Sequence, residues 1–499
     1  MTKLSIPRTQ CDSRKLTPGD TFAAISGEKQ NGNVFIPNAI AAGAKEIISE
    51  LNRPSDIPKD IKWTKVRDAR FELARRACAQ ADNPSHKIKV FAITGTNGKT
   101  TTATLLRAIL TKANIPCGLL GTIGNALYPL EKDRENNSLD TNKLTPANNT
   151  TPGPIELQDS LALMHENGCA ACVIEVSSHA LMQKRTYGTK FEGVAFTNLT
   201  QDHLDYHKTM EEYFKAKSLL FLPPVAPATV NIDCKFGQKL AAQIKAVGGS
   251  VLTYGSTSNA DLRFSEPVLT SEKTEFTLSY NGEIRKVNLK LLGRHNIYNA
   301  LTAIGLALNA GIDLSIAINA IEEEKPVRGR LEHVKLIGSQ ANYYVDYAHT
   351  PDAIENVLRT LREVTDGRLF IVFGAGGDRD RRKRPLMGKA AFNNADYLII
   401  TSDNPRSELP RAIIEDILEG IPGTAIGELP PSDAPEVHTI EDRREAIKYA
   451  IQVANQPGDI VLIAGKGHED YQIFADHTEH FDDIEELHKA SEVLGLANT

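Results

Sequence analysis

Residues 89–100 read KVFAITGTNGKT. A β-prone run leads into a turn built from Gly95, Thr96, Asn97, Gly98, Lys99, Thr100 and Thr101, and Leu105, Leu106, Ile109 and Leu110 give the next segment a helical apolar face. That order suits phosphate. Glycines let backbone N–H groups approach, a helix N-terminus attracts anions, Lys99 neutralises charge, and the Thr100 hydroxyl is of a type that ligates magnesium. The general eight-residue pattern wants glycine at Ile93, whereas the chain has it at Gly95, so the loop is a shortened one. The competing reading is a plain glycine turn, which leaves Lys99 and Thr100 in register after a strand unexplained.

Two further residues sit where a metal would be held. Glu175 lies at the end of CVIEV, and His203 follows the next β-like run in NLTQDHLDYH. A carboxylate and an imidazole at adjacent strand ends can ligate a divalent cation, although magnesium favours oxygen. Alone, His203 is more often a hydrogen-bonded core or surface histidine and Lys217 a surface lysine on an amphipathic helix, while Asn296 and Asn299 could as easily be capping or turn residues.

The elements that must position these groups follow from the pattern. The chain has 499 residues, 41% of them hydrophobic, which suits roughly three domains. Residues 1–87 read as a small α/β unit with strand-like TFAAI and EIIS around IPNAIAAGA. Residues 88–325 alternate β-like KVFAIT, CVIEV, GVAFTNL and ATVNI with helical spans, the pattern of a mostly parallel sheet. Residues 326–499 repeat it with ANYYVDYAH, RLFIVFGAG, ADYLIITSD and DIVLIAG, a second, Rossmann-like unit. Polar residues follow the strands, where open α/β sheets bind ligands. The fold expected is α/β in three domains.

Composition narrows the function. Lys and Arg total 57 against 63 Asp and Glu, so the net charge of −6 gives no reason to expect nucleic acid. With no long apolar run and no secretory leader pattern, a cytoplasmic protein without membrane insertion is expected. Cys11, Cys78, Cys117, Cys169, Cys172 and Cys234 are too sparse for a disulfide scaffold, and Cys169-x-x-Cys172, lacking a second pair, reads as two buried thiols.

TGTNGKTT, EVSSHAL, NLTQDHLDYH, AKSLLF, GRHNIYNAL, GRLE and DYAHTPD occur in the order seen in the Mur ligases, and the chain resembles that family over essentially its whole length. DSRKLTPGDTFAAISG, SDNPRSE and GKGHEDYQ resemble the branch that adds diaminopimelate as the third peptide residue. The resemblance implies an ATP- and Mg²⁺-dependent amide ligase of peptidoglycan precursor synthesis, working as a monomer. The side-chain carboxylate of D-glutamate in UDP-N-acetylmuramoyl-L-alanyl-D-glutamate is phosphorylated, and an amine of meso-diaminopimelate then displaces the phosphate. It also implies that Thr100, Glu175, His203 and a carbamylated Lys217 hold magnesium, with Lys99 and Arg330 stabilising charge. Asn296, Asn299, Asp346, Tyr347, His349 and Thr350 complete the implied nucleotide set. Ser13, Thr150, Thr151, Ser177, Gln183 and Arg185 match positions that contact the UDP-sugar dipeptide.

Asp403, Asn404, Pro405 and Arg406 match the tetrapeptide of the diaminopimelate-adding branch, and Arg379, Gly465 and Glu469 match neighbouring positions. Diaminopimelate differs from lysine by a distal carboxylate, which a guanidinium at Arg406 binds at about 1.5–3 kcal/mol per charged hydrogen bond. The other charges of Arg379–Arg384 read as a solvated surface. Asn31 and Cys234 stand where aspartates are usual. The alternatives are a lysine-adding relative, a folylpolyglutamate synthase, a P-loop NTPase doing switching or mechanical work, and a catalytically inert sugar-nucleotide binder. The DSR segment speaks against the folate enzyme and Arg406 against lysine.

Overall fold

A computed structural model describes residues 7–27, 30–128, 144–147, 149–202, 204–270, 273–423 and 434–496. They form three α/β domains, each around its own sheet. In the first, Thr9–Gln10, Thr21–Ala23, Glu46–Ser49 and Lys62–Lys65 pair in parallel and in sequence order. Phe22, Ile36, Ala39 and Ile47 fill the core on one side. Asn31, in place of the expected aspartate, still caps a 3-10 turn by accepting from the Asn33 N–H. Cys234 begins the helix Lys235–Ala246 and makes no such bond.

The central sheet has the parallel core that the alternating pattern predicts. Val251–Gly255, Ala228–Asn231, Gly193–Phe196, Lys89–Thr94, Ala171–Glu175 and Cys117–Gly121 lie side by side in that order. Period-two alternation sends Phe91, Ile93 and Val173 to one face and Val90, Ala92 and Ile174 to the other. Helices Lys99–Lys112 and Arg294–Asn309 cover the first face, Pro154–Glu166 and Met210–Ser218 the second. Unlike the core, one edge is an antiparallel meander of Leu262–Leu269, Thr274–Tyr280 and Glu283–Leu289. Its buried residues alternate (Leu262 and Phe264, Phe276 and Leu278, Val287 and Leu289), the signature of strands with one wet face.

In the third domain Asn342–Asp346, Ile460–Ala464, Leu369–Phe373, Tyr397–Ile400 and Glu436–Thr439 are parallel, with Glu332–Val334 antiparallel at the edge. All the described cysteines are free thiols, and Cys169 and Cys172 are buried, as expected. Burial pushes the Cys169 thiol up to about 11, which keeps it protonated and inert.

One buried ion pair fixes the end of the strand Ile460–Ala464, just before Gly465. Arg443 and Asp483 are fully buried and meet through two 2.8 Å bonds, and Arg443 also donates to the Ala464 carbonyl at 2.9 Å. Removing one partner of such a pair leaves an uncompensated charge and costs about 3–5 kcal/mol. Asp483→Asn is therefore expected to lower the stability of the third domain by about that amount, read as a fall in the urea midpoint. An unchanged midpoint would count against this role.

Candidate active site

The phosphate loop, Glu175, Asp346 and Gly465 lie at the carboxyl ends of parallel strands, while Lys217, Asn296 and Asn299 come from helices. The phosphate-binding turn follows Lys89–Thr94 and opens the helix Lys99–Lys112. Gly98 has φ +86°, and a Cβ there would meet Asn299 Oδ1 at 2.2 Å, so glycine is required on two counts. The loop satisfies itself: the Thr96 and Asn97 N–H groups donate to the Asn198 carbonyl and Oδ1, both at 2.9 Å. Lys99 Nζ folds back onto the Gly95 and Thr96 carbonyls at 2.9 and 2.8 Å. Asn97 Nδ2 and Thr200 Oγ1 both donate to Asp352 Oδ2, at 2.7 and 2.9 Å, joining this loop to the third domain.

Lys217, on the helix Met210–Ser218, is 1% exposed and donates to the same Gly95 carbonyl at 2.8 Å. Its amine sits 4.6 Å from the centre of the Tyr213 ring. Burial, then the nearby Lys99 ammonium, hold this amine well below the usual lysine range, with Asp202 acting in the opposite direction. Lys99 is lowered as well, by burial first, against the charges of Glu175 and Asp202.

Glu175 closes the strand Ala171–Glu175 and is fully buried. Its Oε2 accepts from Thr100 Oγ1 at 3.1 Å and from Thr122 Oγ1 at 3.0 Å, and its Oε1 from the Thr122 N–H at 3.0 Å. Arg330 Nη2 donates to Thr100 Oγ1 at 3.3 Å, and its guanidinium lies 4.8 Å from the Tyr347 ring centre. Among the described residues Arg330 Nε is buried without a partner, a donor that an anion would take up. The fourth metal candidate, His203, lies outside the described residues.

The nucleotide candidates divide. Asn296 and Asn299 are buried and bonded to each other at 2.8 Å, with Asn296 Nδ2 on the Leu292 carbonyl. The Asp346 carboxylate accepts from the Leu331 and Ala348 N–H groups at 2.6 and 2.8 Å, and burial raises it above the usual range. Thr350 caps the helix Pro351–Arg362. Tyr347 and His349 stand with their rings 4.6 Å apart on the wall of a cleft of about 1460 Å³.

That cleft runs between the central and third domains. Thr150, Thr151, Ser177 and Arg185 line one side; Arg379, Asp403, Asn404, Arg406, Gly465 and Glu469 line the other. Thr151 Oγ1 donates to the Glu175 carbonyl at 2.9 Å, and Arg185 donates to the Thr151 carbonyl at 2.8 Å and to Gln183 Oε1 at 2.8 and 3.0 Å. Gln183 thus serves Arg185, and Ser13, on the first domain, is not on the cleft wall. Across the cleft, Asn404 Nδ2 donates to Glu469 Oε2 at 2.9 Å, while burial and Asp403 raise the Glu469 carboxyl. A Cβ at Gly465 would meet Asp403 Oδ2 at 2.5 Å. Pro405 is buried. Arg406 holds a left-handed φ of +53° and donates to the Gly377 carbonyl at 2.8 Å.

The basic run corrects its reading as a solvated surface. Arg384 is wholly buried and paired with Glu408 and Asp416 at 2.8 and 2.7 Å. Lys383 faces the cleft and donates to the His349 carbonyl at 3.2 Å, with burial pulling its amine down. Only Arg381 and Arg382 pair at the exposed surface, with Asp416 and Asp380. Helical spacing explains the error: Arg384 faces inward from the helix Lys383–Phe392 onto acids that arrive from the far side of the turn. Thr122, Asp202 and Asp352 are further site residues that motif reading passed over.

Comparison with known proteins places this arrangement. The family descriptions "Mur ligase family, catalytic domain", "Mur ligase middle domain" and "Mur ligase, glutamate ligase domain" match residues 6–82, 93–307 and 329–467. The chain is 43% identical over 492 residues to the UDP-N-acetylmuramoyl-L-alanyl-D-glutamate–2,6-diaminopimelate ligase of Clostridium botulinum, covering 98% of this chain and 96% of that one. A solved ligase of that name superposes with a TM-score of 0.67 at 34% identity, over 98% and 95% of the two chains. A folylpolyglutamate synthase of Mycobacterium tuberculosis shares the fold at 17% identity and a TM-score of 0.61, over 80% of this chain and 93% of its own.

His468 gives the site a pH signature. Burial, then Arg330, pulls this imidazole from 6.5 down to about 4. The unfolded chain therefore binds more protons between those values, and stability rises as pH rises through that window. His468→Gln is expected to lose part of the gain, so the difference between wild type and variant widens from pH 4 to 6.5 in denaturant titrations. A difference that stays flat would refute the neutral imidazole.

Proposed function

Since the chain belongs to the Mur ligase family, we propose that it is the ATP-dependent ligase that joins meso-2,6-diaminopimelate to UDP-N-acetylmuramoyl-L-alanyl-D-glutamate. The observation that carries this reading is the single cleft shared by two walls. One wall carries Thr150, Thr151 and Arg185 beside Glu175 and the phosphate loop, and the other carries Asp403 to Arg406. An acid to be activated and an amine to attack it meet in such a space.

In the first step a D-glutamate carboxylate oxygen attacks the γ-phosphorus of ATP, the bond to the bridging oxygen breaks, and ADP leaves. In the second, the amine of diaminopimelate attacks the acyl carbon, phosphate departs with the electron pair of the broken carbon–oxygen bond, and the nitrogen gives a proton to the departing phosphate, leaving an amide. Bringing two anions together needs cations, and Lys99 and Arg330 stand at the loop for that purpose. The Thr100 hydroxyl and the fully buried Glu175 carboxylate are oxygen donors that suit magnesium. With His203 and the carbamate of Lys217, they would hold the ions that neutralise the polyphosphate. A neutral amine is what carbon dioxide requires: nitrogen bonds carbon and a proton is released, giving an anionic ligand. Burial lowers the Lys217 amine and so favours that state.

Asn296, Asn299, Asp346, Tyr347, His349 and Thr350 take the rest of the nucleotide. Ser13, Thr150, Thr151, Ser177, Gln183 and Arg185 take the sugar-nucleotide dipeptide. Arg379, Asp403, Asn404, Pro405, Arg406, Gly465 and Glu469 take the amino acid, with Arg406 on its distal carboxylate. The enzyme works as a monomer where its nucleotide substrates are made, in the cytoplasm. Among the described residues no helix is long and apolar enough to cross a membrane.

Product formation is expected with meso-diaminopimelate and not with L-lysine in a phosphate-release assay; equal rates would sink the specificity. Arg406→Asn is expected to lose diaminopimelate use by up to about 10⁴-fold while nucleotide binding, measured by calorimetry, stays near normal. Lys217→Ala is expected to be inactive and partly restored by short carboxylic acids. Full activity without them would exclude the carbamate.

A further inference from the structure

We propose that Thr122 is a positioning residue that sets the Glu175 carboxylate and ties it to the wall receiving the sugar-nucleotide dipeptide. Thr122 and Ile123 form the two-residue turn between Cys117–Gly121 and Gly124–Ala126, whose ends pair as Gly121 with Gly124. Such a turn holds its residues in one geometry. The approach to Glu175 is close: a Cβ on Gly121 would meet Glu175 Oε1 at 2.3 Å. Glycine there lets the turn reach over the carboxylate, with the Thr122 N–H on Oε1 and its hydroxyl on Oε2, both at 3.0 Å.

The hydroxyl also lies 3.1 Å from Thr150 Oγ1. An ionised carboxylate only accepts, so the Thr122 proton is committed to Glu175, and Thr150 must donate to Thr122. Thr150 is left with lone pairs to offer the cleft. The Thr150, Thr122 and Glu175 groups therefore form a chain with one direction, from the dipeptide wall to the acid. Hydroxyl and amide donors on a ligating carboxylate fix its orientation, and losing one costs about 10–100-fold in metal affinity or activity.

The proposal rests on the reading of Glu175 as a magnesium ligand. Thr122→Val removes the hydroxyl and keeps the N–H and the side-chain volume. The expected result is a magnesium half-saturation for ADP binding, measured by calorimetry without turnover, raised by about 10-fold. A drop of about 10–100-fold in kcat should accompany it, and Thr122→Ser is expected to restore both. Unchanged values in Thr122→Val would overturn the proposal. So would a loss of melting temperature that Thr122→Ser does not repair, which would mark a structural role only. Glu175→Gln separates the two readings: a raised magnesium requirement there but not in Thr122→Val defeats the proposal alone, and no rise in either defeats both.

Discussion

Two lysine amines converge on one carbonyl oxygen, that of Gly95. Their nitrogens are thus within about 6 Å of each other in a buried site, where two positive charges repel by roughly 3 kcal/mol at an effective dielectric of 20. Burial lowers both amines: the Lys99 charge adds to the fall at Lys217, while Glu175 and Asp202 oppose it at Lys99. Glycine at position 95 is part of the same constraint, because a Cβ there would meet Thr197 Oγ1 at 1.9 Å. The loop can approach the neighbouring strand end, and so bring its carbonyl to Lys217, only without a side chain.

The second organising fact is that both large sheets present their carboxyl edges to one cleft. Parallel strands make this possible: every crossover returns the chain to the same end, so successive loops accumulate there. Gly95, Glu175, Thr197 and Thr122 come from four neighbouring strands of the central sheet. Asp346, Asp403 and Gly465 come from three of the third domain. The first domain is attached differently. Asp68 caps the helix Ala69–Gln80 while pairing with Lys184, and Phe71 lies against Tyr187 with ring centres 4.4 Å apart. This is a packed junction, whereas the phosphate loop meets the third domain through a few polar bonds at Asp352 and Arg330.

Much of this was legible in the sequence because it is periodic or local. The strand EIIS is read as Glu46–Ser49, and the glycines and Lys99 of the phosphate loop carry their chemistry in their order. The antiparallel meander at 262–289 was hidden among polar residues, since one of its faces is wet. Arg384 looked like its exposed neighbours because its partners Glu408 and Asp416 lie 24 and 32 residues away. Thr122 carries no motif at all. Its role depends on Glu175, 53 residues further on, and only pairing of strands brings the two together.

Arg406 is held at φ +53°, where asparagine and glycine sit more easily than arginine. The backbone at this position therefore pulls against the side chain, at a cost of about 1–3 kcal/mol for such a conformation. Random drift at codon 406 toward a residue that relaxes the turn would make the fold more stable while removing the guanidinium. On the proposed reading of Arg406, stability and substrate choice are opposed at one position. A screen for stability alone would tend to discard this arginine.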